Sequence, residues 1–203
     1  MSSFTAIIDY GVGNLHSVAK ALDYVGAKNI ITGDADEIRR ADALLLPGVG
    51  AFPMAYRALC ETGLPDIIRE EVQKKPLLGI CLGMQLLLDR GYEEEECEGL
   101  GLVSGVVRKI ETQYKLPQIG WNELEFKNPC ELTRGLPENS YVYFVHSYCA
   151  TVEKKEQLIA TCDYGCEVTA IVKNGNAYGC QFHPEKSGEV GLAILENFKN
   201  IIG

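Results

Sequence analysis

Several things are scarce in this 203-residue chain, and each scarcity narrows what it can be. No apolar run approaches the roughly 20 residues of a membrane-spanning helix, which argues against a membrane partner. Basic residues are few: 19 Lys and Arg stand against 28 Asp and Glu, a net charge of −9. A phosphate backbone asks for local basicity, so nucleic acid is not expected as the main partner. A small anionic substrate, or an acidic protein meeting a local basic patch, stays open. Met1–Tyr10 reads as a first strand rather than a signal peptide. Eight cysteines are irregularly spaced, several of them inside apolar runs, which fits a reducing, cytoplasmic setting better than a disulfide framework. Cys162 and Cys166 lack the further ligands of a zinc site. The acidic run Glu93–Glu98 lacks the spacing of a calcium loop and reads as solvated. No metal and no cofactor is expected. There is no internal repeat, and the length fits one domain, residues 1–203.

What is present reads as alternating strand and helix. Phe4–Asp9 is a short apolar run that breaks at Tyr10-Gly11-Val12-Gly13-Asn14. Leu15, Val18, Ala19, Leu22 and Val25 then recur at helical spacing, with Asn14 as N-cap and Gly26 just past the end. A dinucleotide fingerprint is not completed there, because His16 stands where the third glycine belongs. Asn29–Thr32 and Ala43–Leu46 read as strands, the latter breaking at Pro47-Gly48-Val49-Gly50, and Asp36–Arg40 as a short helical turn. Helices are expected around Met54–Cys60 and Pro65–Gln73, a central strand over Leu77–Cys81, and a helix from about Met84 to Arg90. Successive βα units give the doubly wound class, whose ligands sit at the strands' C-terminal ends. Short strands follow at Leu102–Ile110, Asn122–Phe126, Tyr141–Cys149, Gln157–Thr161, Glu167–Val172 and Ala177–Phe182, with Asn174-Gly175 a hairpin turn. They suggest an antiparallel or mixed edge to the sheet. A last helix, Gly191–Lys199, turns Leu192, Leu195 and Phe198 to the core.

The chemistry concentrates at Gly79-Ile80-Cys81-Leu82-Gly83, the cysteine form of the nucleophile elbow. Such a turn puts the sulfur at the tip of a strand-to-helix corner, and a side chain at either flanking glycine would crowd it. The bland alternative is a buried cysteine between loop glycines. A thiol nucleophile needs a base, and only His16, His146 and His183 are available. His183 lies in Gln181-Phe182-His183-Pro184-Glu185, past the last strand, where Glu185 two residues on can orient the ring. A catalytic Cys81–His183–Glu185 triad follows. His146, in an aromatic strand, is the rival base, although burial or a substrate contact suits it better, and His16 reads as a helical surface residue or a ligand contact. The Leu82 N–H would give one oxyanion donor, and the Pro47–Gly50 loop would give the second, with glycines that also suit a change of conformation.

These stretches resemble the class I glutamine amidotransferases. Added to the elbow and the His-Pro-Glu stretch, Asp9-Tyr10-Gly11-Val12-Gly13-Asn14, Leu46-Pro47-Gly48-Val49-Gly50, Gly120-Trp121-Asn122 and Tyr143-Phe144-Val145-His146-Ser147-Tyr148 resemble the branch that serves imidazole glycerol phosphate synthesis. The resemblance implies an α/β, flavodoxin-like three-layer sandwich with a central, mostly parallel sheet and an antiparallel edge. It implies hydrolysis of L-glutamine through a thioester on Cys81, with His183 moving the proton and Glu185 orienting it. Leu82, Val49 and Gly50 would form the oxyanion hole, and Gln85, Ser147 and Tyr148 would hold glutamine. The partner would be a (β/α)8-barrel cyclase subunit, forming a heterodimer and receiving the ammonia, with Asn14, Trp121, Asn122, Tyr143 and Lys186 at the interface or signalling across it. The family often carries histidine where this chain has Gln118, which is read as a difference on the partner-facing side. Other readings are a glutaminase for a different ammonia-channelling synthase, a stand-alone cysteine hydrolase of similar fold, and a binding module that keeps the elbow for packing.

Overall fold

The computed structural model describes residues 3–202. From the N-terminus run β1 (Thr5–Ile8), α1 (Leu15–Tyr24), β2 (Asn29–Thr32), α2 (Ala35–Arg40), β3 (Ala43–Gly48), α3 (Phe52–Glu61), α4 (Leu64–Glu71), β4 (Leu77–Cys81) and α5 (Leu82–Gln85). Then come β5 (Leu88–Gly91), β6 (Cys97–Glu98), β7 (Val103–Lys109), β8 (Gln118–Glu123), β9 (Glu125–Phe126), β10 (Tyr141–His146) and β11 (Tyr148–Val152). The chain closes with β12 (Leu158–Asp163), β13 (Glu167–Asn174), β14 (Ala177–Cys180) and α6 (Gly188–Ile201).

The main sheet has the order β2-β1-β3-β4-β14-β13-β12-β9. The first five strands are parallel, and β13, β12 and β9 add on antiparallel. Alternation along the strands divides the core into two layers. Ile7, Leu45, Leu78 and Ile80 meet Val18 and Leu22 of α1 and Ile194, Leu195 and Phe198 of α6. Ala6, Ile8, Leu44, Leu46 and Leu77 meet Ile38 of α2, Phe52 and Leu59 of α3 and Ile68 of α4. This is the three-layer α/β sandwich with a mostly parallel sheet. Among the described residues no helix is long and apolar enough to cross a membrane.

Local chemistry accounts for the helix ends that flank the site. Asp34 caps α2 by accepting from the Asp36 and Glu37 N–H groups, each at 2.9 Å, an arrangement worth about 1 kcal/mol. Ala51 at the start of α3 has no capping side chain. A remote carboxylate does that work: Glu93 Oε2 accepts from Phe52 N at 2.8 Å.

Several expectations are corrected. The helix drawn over Met84–Arg90 ends at Gln85, and the chain turns into β5. Leu86, Leu87 and Leu88 are all fully buried, so no polar face exists to keep the segment helical, and Leu88 pairs with Val103 instead. The strand drawn over Tyr141–Cys149 is two strands in two separate small sheets, β10 with β8 and β11 with β7, β5 and β6. The Asn122–Phe126 strand is likewise divided between β8 and β9. Asn14 stands at the head of α1 without capping it through its side chain, while Gly26 has the expected left-handed φ of 69°. Gln118 does not face outward: it is fully buried, and its amide donates to Asn122 Oδ1 at 2.9 Å and to Cys162 Sγ at 3.6 Å. On the alternating strand β8 it is Ile119 and Trp121 that face out.

Candidate active site

Three strand ends build the site. β3, β4 and β14 are neighbours in parallel and finish almost level, with Gly48 opposite Cys81 and Cys180 opposite Ile80. Cys81 closes β4 and opens α5 with φ 56° and ψ −113°, a conformation that non-glycine residues rarely hold. The surrounding glycines make that corner possible. A Cβ on Gly79 would lie 2.7 Å from the Gly83 carbonyl oxygen, and one on Gly83 would collide with the Leu46 carbonyl oxygen. The elbow therefore packs backbone on backbone against β3.

Past β14 the chain brings His183 over Cys81. The ring's Nδ1 lies 2.8 Å from Glu185 Oε1, and the imidazole shares the cleft with Cys81, near enough for the sulfur to raise the ring's pKa. With Nδ1 taken by the carboxylate, Nε2 is the ring nitrogen left to serve the sulfur. The backbone holds the ring's position: His183 N donates to Tyr143 O at 3.1 Å. Ser187 Oγ bonds both His183 O, at 2.7 Å, and Tyr143 N, at 3.0 Å. Burial works against charge on His183, but the hydrogen bonds and charges of Cys81 and Glu185 outweigh it and raise its pKa to about 9. The ring is thus protonated at neutral pH, beside a thiol that a cationic neighbour can activate.

A cleft of about 520 Å³ opens over this pair. Its walls carry Cys81, Leu82, Gln85, His183, Ser147 and Tyr148, with Val49 and Gly50 on the β3 side and Asn14 and Lys186 at the rim. Gln85 is buried, and both amide hydrogens are committed, to Tyr148 O at 2.8 Å and to Gln181 Oε1 at 2.9 Å. Its own carbonyl oxygen is what remains for a ligand. Gln181 in turn donates to Cys81 Sγ at 3.9 Å. Val49 and Gly50 are exposed, and Gly50 has φ +93° with open space where a side chain would stand.

The structure separates the two rival histidines. His146 is buried, its Nδ1 lies 2.8 Å from Tyr148 O, and burial lowers its pKa to about 4 despite that bond. It is neutral, and as a base it is too weak to serve a thiol at pH 7. His16 is exposed on α1 and does not line the cleft. Trp121 and Tyr143 lie directly opposite each other on β8 and β10, ring centroids 6.1 Å apart in an edge-on contact, and Trp121 is 53% exposed. Asn122 is half-buried and turned toward its own chain, donating to Asp163 O at 3.0 Å. Among the described residues no group of three or more His, Cys, Asp or Glu is arranged to hold a metal.

Sequence reasoning missed two residues of the site. The sequence places Glu93 in a solvated run, yet among the described residues it is the one carboxylate lining the cleft, and it also caps α3. Nothing in a string of four glutamates singles it out. Gln181 was read only as the residue leading into His183. Its place beside the strand end, where one side chain must face the elbow, was the available signal.

Comparison with known proteins follows the same lines. The family model for glutamine amidotransferase class-I matches residues 6–201. Imidazole glycerol phosphate synthase subunit HisH of Bacillus cereus (strain G9842) is 50% identical over 198 residues, 97% of this chain and 94% of that protein. The subunit of the same name from Bacillus thuringiensis (strain Al Hakam) matches to the same extent. Among solved structures, PurLQS from Thermotoga maritima superposes with a TM-score of 0.80 at 19% identity, covering all of both chains. A crystal structure of a glutamine amidotransferase gives 0.74 at 19% identity, over 97% of this chain and 99% of that one. At that identity the two structures speak to the fold alone.

Proposed function

The chain belongs to the class I glutamine amidotransferases, and from that premise we propose how its site works and whom it serves. It is the glutaminase subunit of imidazole glycerol phosphate synthase, an enzyme of histidine biosynthesis. The observation that carries the mechanism is that Cys81 shares one cleft with His183, whose ring is hydrogen-bonded to Glu185.

The substrate is L-glutamine. Cys81 Sγ, acting as the thiolate beside the protonated His183, attacks the side-chain amide carbon, and negative charge gathers on the amide oxygen. The Leu82 N–H and a peptide of the Val49–Gly50 segment stabilise that oxyanion. His183 Nε2 delivers its proton to the departing nitrogen, the C–N bond breaks, and ammonia leaves a γ-glutamyl thioester. His183, now neutral, takes a proton from water, whose oxygen attacks the thioester; the C–S bond breaks to restore the thiolate beside the protonated ring, and glutamate leaves after its new carboxyl gives its proton to solvent. Glu185 holds the ring through Nδ1 and favours its charged form. Gln85, Ser147 and Tyr148 orient the glutamine, and Glu93 offers its carboxylate to the α-ammonium.

A partner subunit receives the ammonia, because ammonia released to water is largely protonated and diluted. We assign that partner as a (β/α)8-barrel cyclase forming a heterodimer with this chain, docked on the face carrying Trp121 and Tyr143. Asn14 and Lys186 line the cleft, and Asn122 acts from the other face of β8, through its bonds to Gln118 and Asp163. The whole chain, residues 1–203, acts as one amidotransferase domain. A glutaminase assay of the pure chain, repeated with the cyclase and its ribonucleotide ligand, tests this. Slow hydrolysis that rises sharply in the complex, and is lost in C81A, is expected. Equal activity with and without the partner, or activity surviving in C81A, refutes it.

A further inference from the structure

Tyr10 is a buried tyrosine beside the elbow that the mechanism above leaves unused. It follows β1, is 4% exposed, and its hydroxyl donates to the Pro47 carbonyl at 2.9 Å. The location is specific. β1 pairs with β3 only as far as Leu45, so beyond that point β1 offers β3 no further paired residue. The Tyr10 hydroxyl reaches across that gap. It also fills the space next to Gly48, where a Cβ would lie 2.8 Å from Tyr10 Oη and 2.9 Å from Gly83 N. Burial, together with the nearby Cys81, pushes the phenol's pKa upward, which keeps it a donor.

The loop that supplies the second oxyanion donor starts at this clamp. At its far end Phe52 N is fixed by Glu93 at 2.8 Å. Between the clamps, Val49 and Gly50 are exposed, and the space beside Gly50 is open. A peptide that must turn its N–H toward a forming oxyanion can do so reproducibly only if the chain entering the turn is held. We propose that Tyr10 is a positioning residue of the glutaminase reaction: its hydroxyl fixes the Pro47 carbonyl, so that movement of the oxyanion loop is confined to the Val49 and Gly50 peptides. The proposal rests on the glutaminase reading above and goes beyond it.

The test is Tyr10→Phe in the assembled synthase, which removes one oxygen and keeps the ring. Loss of a properly aimed oxyanion donor costs about 100- to 1000-fold in kcat, and a donor held loosely costs part of that. The expected result is a fall in kcat for glutamine of about tenfold or more, with KM changed less than about threefold, while synthesis from added ammonium salt is unaffected. The control is Ser140→Ala, which removes another buried hydroxyl-to-carbonyl bond, Ser140 Oγ to Pro137 O at 2.6 Å, away from the cleft. It lowers stability in the same way and leaves kcat unchanged. An unchanged kcat in Y10F overturns the proposal, as does a loss shared equally by Y10F and S140A or by the ammonium-driven reaction. A wild-type synthase without glutaminase activity overturns the functional reading and this proposal with it, so the two failures are told apart by the wild-type lane.

Discussion

Replacing Glu185 by glutamine removes one charge from a pair that water hardly reaches. The His183 and Glu185 side chains are 5% and 1% exposed, and Nδ1 and Oε1 lie 2.8 Å apart. In the native chain burial opposes the imidazolium, while the hydrogen bonds and charges of Cys81 and Glu185 prevail and carry the pKa from 6.5 to about 9. The difference, 9 − 6.5 = 2.5, amounts to about 3 kcal/mol in favour of the protonated ring. In E185Q the carboxylate's share disappears and burial stays, so the midpoint falls by roughly one unit or more. The chain has three histidines, and His146, near 4, is an internal reference, so a proton–carbon NMR titration reads the change directly. The sign for stability follows. A folded-state pKa above the unfolded value stabilises the fold fully below about 6.5, and that contribution fades as pH rises to about 9. The gap in unfolding free energy between wild type and E185Q therefore narrows across this window, by up to about 3 kcal/mol. A wild-type midpoint at or below 6.5, a midpoint that E185Q leaves in place, or a gap that stays flat from pH 6 to 9 would refute the reasoning.

In the assembled synthase, H183A loses glutamine-dependent synthesis by about 100- to 10,000-fold but keeps synthesis from ammonium salt; failure with ammonium as well means the variant damaged assembly instead. Gly83→Ala drives a methyl into the Leu46 carbonyl and should cost more than about 3 kcal/mol in denaturant unfolding, so a loss under 1 kcal/mol counts against the close backbone packing described for the elbow. Trp121→Ala leaves the isolated chain's unfolding midpoint in place, because the ring is largely exposed, yet weakens cyclase binding about tenfold or more by calorimetry. Unaltered affinity would move the interface off this face.

Some of the fold was legible because local and global signals agree. β2 and β4 run over the residues read from the sequence, each a short apolar or β-branched run between turn residues. The level endings of β3, β4 and β14 follow from the parallel order, so a nucleophile at one strand end and a base past another could be expected to meet. What was hidden depends on packing between distant segments. Leu86–Leu88 continues the apolar run of the elbow, and periodicity cannot tell a buried helix from a buried strand there. Only the partner strand β7 decides it. The resemblance puts Gln118 on the partner-facing side and carries no information on burial, whereas Asn122 and Cys162 give its amide partners inside. Glu93 acquires its role from a helix N-terminus 41 residues earlier in the chain.

The strain at Cys81 ties these features together. A non-glycine residue at φ 56° is costly by about 1–3 kcal/mol, and it persists only where neighbours leave no alternative. Here the alternatives are closed by β3 on one side and by Gln181 on the other. Gly79 and Gly83 let the corner press onto β3, Gly48 accepts the same contact from the other strand, and Gln181 reaches the sulfur from β14's extension. Relaxing the corner would push the Gly83 backbone into Leu46 or withdraw Sγ from His183. Beyond Gly48, the last residue of β3 paired with the elbow, Val49 and Gly50 are exposed, so the oxyanion donor proposed there can turn without disturbing Cys81. A tightly packed sulfur beside an open loop is the arrangement by which, under the proposed mechanism, turnover is governed at the loop while the thiol stays poised.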